Sequence, residues 1–315
     1  MAQEIIVIAL GGNAILQRGQ KGTVEEQMAN INTACTYIAE IIANNAYRVV
    51  ITHGNGPQVG NVLLQNEAAR DQVPMMPLDV CGAATQGMIG YMIQQTLANI
   101  LRTAELPHNI TTVLTQTIVD KDDPAFKNSS KPVGPFYDEK EAEKLRRERG
   151  WDLVYDSSRG YRRVVPSPKP VRIQETRIIK NMLDSGEIVV AVGGGGIPVT
   201  RDVNRDLRGV DAVIDKDLAT SRLAQDICAD TLLILTDVEQ VMLNYGKPQA
   251  KGIYHMTIAE AEKYLAEGQF GVGSMRPKIE ASIEFVRSKE KKVIITELSK
   301  AADALAGKAG TRITR

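Results

Sequence analysis

The chain has 315 residues, with 38 Lys plus Arg balancing 38 Asp plus Glu, a formal net charge of zero and 43% hydrophobic residues. That length supports one large α/β domain or two lobes with ample cores. Zero net charge argues against a nucleic-acid binder, and no basic amphipathic segment favours a membrane surface. The apolar runs are strand length, short of the ~20 residues a membrane helix needs. The start, Met1-Ala2-Gln3-Glu4, lacks a basic n-region and cleavage site, so a cytoplasmic location is the expectation.

The first predicted strand, Ile5 to Leu10, runs into Gly11-Gly12-Asn13-Ala14. A capping box at Thr23-Val24-Glu25-Glu26 then opens an amphipathic helix with apolar residues Val24, Met28, Ile31, Ala34, Ile38 and Ile41, ending at Asn44-Asn45. A second strand, 48–52, runs into His53-Gly54-Asn55-Gly56-Pro57, and a helix follows from Pro57 to about Ala69. This βαβα opening implies a parallel sheet through right-handed crossover. A longer helix spans about 80–101, with Gly82, Gly87 and Gly90 allowing close packing, and a strand is expected over 111–119.

Between 120 and 170 the texture changes. Six of the thirteen prolines, the sole Trp151, and the basic clusters 144–149 and 159–163 fall there. This reads as a small inserted subdomain whose charges face solvent. Alternation then resumes with helix 173–185 and strand 188–192, which ends in Gly193-Gly194-Gly195-Gly196-Ile197-Pro198. Next come helix 217–228, strand 231–236, a helix from the capping box Thr257–Glu260 to about 267, helix 277–289, strand 292–296 and helix 299–306. The expected architecture is a three-layer αβα sandwich around a mainly parallel sheet.

Three apolar runs thus end in glycine-rich turns, at the strand ends where open α/β sheets bind ligands. Glycine lets backbone N–H groups approach an anion, and a following helix adds its positive dipole end. The pattern points to a phosphorylated substrate. It fits neither a Walker A loop nor a dinucleotide fingerprint, and protein-kinase motifs are absent. The cysteines, Cys35, Cys81 and Cys228, fall in predicted helices without metal-site or CxxC spacing. The histidines, His53, His108 and His255, show no zinc-hydrolase arrangement, and no GxSxG elbow exists. Phosphoryl transfer needs cations and positioning, and two lysines lie at predicted helix starts, where they oppose the dipole and suit an anion. They are Lys216 in Asp215-Lys216-Asp217 and Lys278 in Ser274-Met275-Arg276-Pro277-Lys278. Asp217 could hold the lysines or cap the helix.

The segments 9–14, 53–60, 79–83, 86–91, 131–137, 191–199, 212–217, 273–278 and 307–311 together resemble carbamate kinases of the amino acid kinase family, in order along essentially the whole chain. The resemblance implies one kinase domain over 1–315 that reversibly transfers a phosphoryl group between ATP and carbamate, giving ADP and carbamoyl phosphate, with Mg²⁺ held mainly by the nucleotide phosphates. It implies a direction toward ATP in arginine or ureide breakdown, and a homodimer built through the N-terminal half, for which the 80–101 region could supply packing. Residues 1–190, including a lid-like insert over 120–170, would bind carbamate, and 191–315 the nucleotide. By the same resemblance Gly11, Gly12 and Asn13 would contact the transferring phosphoryl group, and Gly54, Asn55 and Gly56 would shape the carbamate site. Lys216 and Lys278 would neutralise the transition state, Asp217 would orient them, and Lys131 would close over carbamate from the insert. Gly194, Gly195, Gly196, Asp237, Tyr245 and Met275 would border the nucleotide. The carbamate oxygen is already anionic, so no general base is required.

Two positions depart from the commonest family pattern. Arg276 stands where a small or apolar residue is usual and is expected to face solvent, and Glu239-Gln240 replaces an acidic-glycine pair. The alternatives are another small-acid kinase of the same family and a catalytically silent ligand-binding member. The insert segment 131–137 opposes the first, and the presence of Lys216, Asp217 and Lys278 the second.

Overall fold

The computed structural model describes residues 3–17, 19–44, 46–156, 160–271, 273–287 and 291–315. Met1-Ala2, Asn45 at the predicted helix end, Arg159 of the second basic cluster and Lys289 at another predicted helix end lie outside them. An eight-stranded sheet has the spatial order 255–257, 311–314, 292–297, 231–236, 4–10, 47–53, 188–190 and 110–112. The six strands from 292–297 to 110–112 run parallel. Thr311–Thr314 pairs antiparallel to Lys292–Glu297 and carries His255–Thr257 at the edge.

The first strand shows why its sequence is continuously apolar. Ile5, Val7 and Ala9 point into one core, while Ile6, Ile8 and Leu10 point into the other. A strand buried on both faces has no polar alternation. The helices Val24–Ala43 and Leu78–Thr103 cover one face through Ile31, Ile38, Ile93 and Leu97. Thr176–Asp184, Lys216–Asp226, Ile258–Ala266 and Met275–Val286 cover the other. The three-layer αβα sandwich is therefore present, and both cores draw residues from before and after position 190. Both predicted capping boxes form, at Thr23 with Glu26 and at Thr257 with Glu260. Among the helices of the described residues none is long and apolar enough to cross a membrane.

Several boundaries differ from expectation. The strand predicted over 111–119 is two strands in different sheets, Ile110–Thr112 and Gln116–Val119. Gln86 on the long helix binds the Thr115 peptide at both ends, its Oε1 accepting from Thr115 N–H at 3.0 Å and its Nε2 donating to Thr115 O at 3.1 Å, which turns the chain out of the main sheet. The predicted helix 173–185 starts only at Thr176, after the strand Pro170–Ile173. The helix predicted to 228 ends at Asp226, leaving Cys228 exposed with φ 58°. The glycine turn at 193–196 leads into Ile197–Arg201, which joins Leu207–Gly209, Gln116–Val119 and Pro170–Ile173 in a second, four-stranded sheet.

That second sheet frames the insert, because Gln116–Val119 and Pro170–Ile173 pair antiparallel at its two ends. The insert is a three-stranded sheet of Lys131–Tyr137, Gly160–Val165 and Leu153–Asp156 with the helix Glu139–Arg149. It is anchored to the body where Val133 and Val165 pack with Val59, Leu63, Leu78 and Cys81. The basic clusters are not wholly a solvated face. Arg163 is only 9% exposed, stacks 4.3 Å from the Trp151 ring centre and pairs with Asp211. Arg146 lies 5.0 Å from the Tyr161 ring centre and donates to Leu153 O at 2.8 Å.

Candidate active site

Parallel pairing puts Leu10 beside His53 on one side and beside Leu235 on the other. The turns that follow these strands therefore open at one edge of the sheet. Gly11 donates its N–H to Leu235 O at 3.0 Å, tying its turn to the neighbouring strand, and Gly12–Ala14 form a short 3-10 turn beyond it. Gly54 faces this turn across a narrow gap. A Cβ there would lie 3.3 Å from Lys216 Cδ and 4.0 Å from Gly12 Cα. Its lack of a side chain lets the lysine stem pass between the two turns.

The helix Lys216–Asp226 begins at the same place, capped by Asp215, whose Oδ1 accepts from Asp217 N–H at 2.9 Å. Its second residue, Asp217, is 4% exposed and forms the centre of the site. Lys216 Nζ donates to Oδ1 at 2.7 Å, and Lys278 Nζ donates to Oδ2 at 3.2 Å. Burial pushes the Asp217 carboxyl up, but the Lys216 and then the Lys278 ammonium, with their hydrogen bonds, outweigh it and hold it below the usual carboxylate range. Lys278 also donates to Ser274 O at 3.2 Å, at the start of the helix Met275–Val286. Lys131 reaches in from the insert, with Nζ 3.1 Å from Asp215 Oδ2. Two lysines held at helix starts, against the local dipole, create a compact cationic frame suited to an anionic group.

A cleft of about 700 Å³ opens beside this frame, lined by Gly11, Gly12, Asn13, Thr236, Asp237 and Lys278. A cavity of about 150 Å³ shares Thr236, Asp237 and Ser274 with it and extends to Tyr245, Phe270 and Met275. The structure thus joins the first glycine turn and Lys278 to Asp237, Tyr245 and Met275 along one continuous depression. Arg276 faces solvent and pairs with Glu280 at 2.8 Å. Gln240, of the divergent pair, lines the smaller cavity.

Gly194, Gly195 and Gly196 are not brought to that depression. Val192 at φ 53° and these three glycines at φ 64°, 94° and 85° fold the turn back beneath the second glycine loop. A Cβ on Gly194 would sit 2.2 Å from Asn55 Cγ, while Gly195 and Gly196 abut Ile214 and Thr117. Asn55 is held from the other side, donating from Nδ2 to Thr85 Oγ1 at 2.8 Å. The third glycine turn therefore backs the Gly54–Gly56 loop. Thr85, which holds Asn55, and the 297–299 segment, which also lines the larger cleft, are not marked in the sequence, because an isolated Thr or a short loop carries no pattern that reveals such a role.

His53 lies under the same loop, 1% exposed, with Nδ1 3.0 Å from Gly54 O. Burial pushes its imidazole down to about 4, opposed by the Gly54 carbonyl and aided by the Lys216 cation. Between about pH 6.5 and 4 the unfolded chain binds a proton at this residue that the folded chain does not, so stability falls as pH falls through that window. The full shift corresponds to roughly 3 kcal/mol. Urea-unfolding midpoints across this range should flatten in His53→Gln, and an unchanged slope would sink the assignment.

Comparison with known proteins decides the family. The family model described as Amino acid kinase family matches residues 4–297. The chain belongs to the amino acid kinase family. Within this family it is 53% identical over 312 residues to a carbamate kinase of Thermococcus kodakarensis, covering 98% of this chain and 99% of that one. It is 50% identical over 310 residues to a carbamate kinase of Haemophilus influenzae, covering 98% and 96% respectively. A solved structure, carbamate kinase from Giardia lamblia bound to AMP-PNP, superposes with a TM-score of 0.95 at 48% identity, covering 99% of each chain. The amino acid kinase fold expected from the sequence is thus matched along the whole chain.

Proposed function

We propose that the protein is a carbamate kinase, transferring a phosphoryl group reversibly between ATP and carbamate. The observation that carries this is the buried Asp217 holding Lys216 and Lys278 between two glycine turns. Near-full-length identity of about 50% to carbamate kinases supports the choice of acceptor. Both oxygens that exchange the phosphoryl group, one on ADP and one on carbamate, are anionic, so the protein has no proton to remove. Its task is to align them and to neutralise the charge spread over the group in flight.

Lys216 and Lys278 supply that charge, and Asp217 fixes where they point. The turn at Gly12-Asn13 faces the phosphoryl group, while Gly11 ties it to the strand ending at Leu235. Gly54, Asn55 and Gly56 shape the carbamate side, where the start of the helix Gly56–Ala68 presents N–H groups without intrahelical partners. Lys131 approaches this side from the insert. Asp237, Tyr245 and Met275 border the nucleotide, with Tyr245, 70% exposed, able to close against a base. Nucleotide-facing residues therefore lie in 191–315 and carbamate-facing ones mostly in 1–190, with Lys216 at the join.

Mg²⁺, held by the nucleotide phosphates, would add to the neutralisation that Lys216 and Lys278 supply. Both Asp217 oxygens are taken by ammonium groups, and among the described residues no three of His, Cys, Asp and Glu cluster to hold a metal ion. Carbamoyl phosphate is a mixed anhydride able to phosphorylate ADP, and the resemblance to carbamate kinases supports a direction toward ATP at the end of arginine or ureide breakdown. The enzyme is cytoplasmic and forms a homodimer through its N-terminal half, where exposed Val80, Tyr91 and Leu114 leave an apolar surface on and beside the long helix.

The test is ATP formation from ADP, Mg²⁺ and fresh carbamoyl phosphate, with acetyl phosphate and acetylglutamyl phosphate as parallel donors. ATP from carbamoyl phosphate alone is the expected result. ATP chiefly from another acyl phosphate would replace carbamate as the acceptor.

A further inference from the structure

We infer that Asp215 is a positioning residue, which places the Lys131 ammonium at the reacting group before substrate arrives. This deepens the carbamate kinase reading and rests on it. Asp215 divides its two oxygens between two tasks. Oδ1 accepts from Asp217 N–H at 2.9 Å and Leu218 N–H at 3.4 Å, capping the helix that presents Lys216 and Asp217. Oδ2 accepts from Lys131 Nζ at 3.1 Å. One carboxylate, with its side chain 15% exposed, thus couples the insert's lysine to the start of the catalytic helix.

The backbone makes the same connection. Lys131 is the first residue of its strand and pairs with Val165, the last residue of the neighbouring strand, at the root of the insert. Ser130 N–H donates to Val165 O at 3.2 Å, and Val213 N–H donates to Pro166 O at 3.0 Å. The root of the insert is therefore stitched to the chain two residues before Asp215. Rotation of the insert about this root would displace its distal strands most and Lys131 least. Lys131 is accordingly held in place by Asp215 rather than delivered by closure.

The electrostatics agree. Among these side chains, three ammonium groups, Lys131, Lys216 and Lys278, stand over two carboxylates, Asp215 and Asp217, leaving the frame net positive toward an anion. A lysine stem carries considerable rotamer freedom, and the Asp215 contact restricts it in advance, a form of pre-organisation that lowers the cost of reaching a reactive geometry.

A purely structural role as helix cap is separable by a double-mutant cycle. Asp215→Ser keeps a capping hydroxyl but is too short to reach Lys131. Rates against carbamoyl phosphate and ADP would be measured for the wild type, Asp215→Ser, Lys131→Ala and the double variant. Losing one charge-assisted hydrogen bond should raise the KM for carbamoyl phosphate about tenfold. The KM for ADP should stay within about twofold, and Asp215→Ser should add nothing in the Lys131→Ala background. Hydrogen exchange over 131–137, read without substrate, should accelerate in Asp215→Ser only when Lys131 is present. An equal effect of Asp215→Ser with and without the Lys131 side chain, in KM or in exchange, would reduce Asp215 to a cap and overturn the inference. If the wild type turned over no carbamoyl phosphate, the proposed function would fall, while the exchange measurement would still decide whether Asp215 holds Lys131.

Discussion

Asp217→Asn is expected to cut turnover about a thousandfold and to lower folding stability by about 3 kcal/mol, in line with the cost of breaking a buried ion pair. Both effects have one cause. The carboxylate, itself 4% exposed, separates two ammonium groups at 2.7 and 3.2 Å. A neutral amide leaves those cations facing each other without compensation, so they swing apart and the phosphoryl group loses its fixed counter-charge. Single-turnover kinetics and chemical denaturation measure the two effects separately. Turnover within tenfold of wild type would show that the lysines orient themselves.

The same residue sets an acid limit. The folded-state titration of Asp217 lies below its ordinary value of 3.8, so its stabilisation is present above that pH and is lost as pH falls through the depressed value. In Asp217→Asn this part of the acid unfolding should vanish. The His53 contribution, which acts at higher pH, should remain.

Gly194→Ala is expected to lower kcat/KM for carbamoyl phosphate about a hundredfold, the scale of a misplacement of about 1 Å, with nucleotide binding nearly unchanged. The added Cβ would meet the Asn55 side chain at 2.2 Å, and φ at 64° is strained for any residue with a Cβ. Asn55 must then leave Thr85, moving the backbone of the Gly54–Gly56 loop. Titration with an ADP analogue provides the control. A matching loss of nucleotide affinity would place the 193–196 turn on the nucleotide side after all.

The central strands were legible because a run such as Ile5 to Leu10 is apolar on both faces, a pattern with few other readings at that length. The two capping boxes located helix starts to the residue for the same reason: their signal is local. The division at 113–115 was not legible. Val113 continues the apolar pattern, and the break depends on Gln86, nearly thirty residues earlier, hydrogen bonding to the Thr115 peptide. The short strands 255–257, at the sheet edge, and 311–314 beside it are three and four residues long, too brief to show a period, and form because a neighbouring strand is available to pair.

The site divides in the same way. The sequence alone marked Lys216, Lys278 and the three glycine turns as candidates, because a lysine at a helix start opposes the local dipole and so marks a demand from elsewhere. Tertiary structure alone decided their grouping. It gathered Lys216 and Lys278 onto one Asp217, attached Lys131 to Asp215 across 84 positions, and turned Gly194 toward Asn55 rather than the cleft lined by Gly12 and Asp237. The physical reason is that local preference ends with the turn or helix that expresses it. Which carboxylate meets which ammonium depends on the order of strands in the sheet and on where each crossover returns the chain.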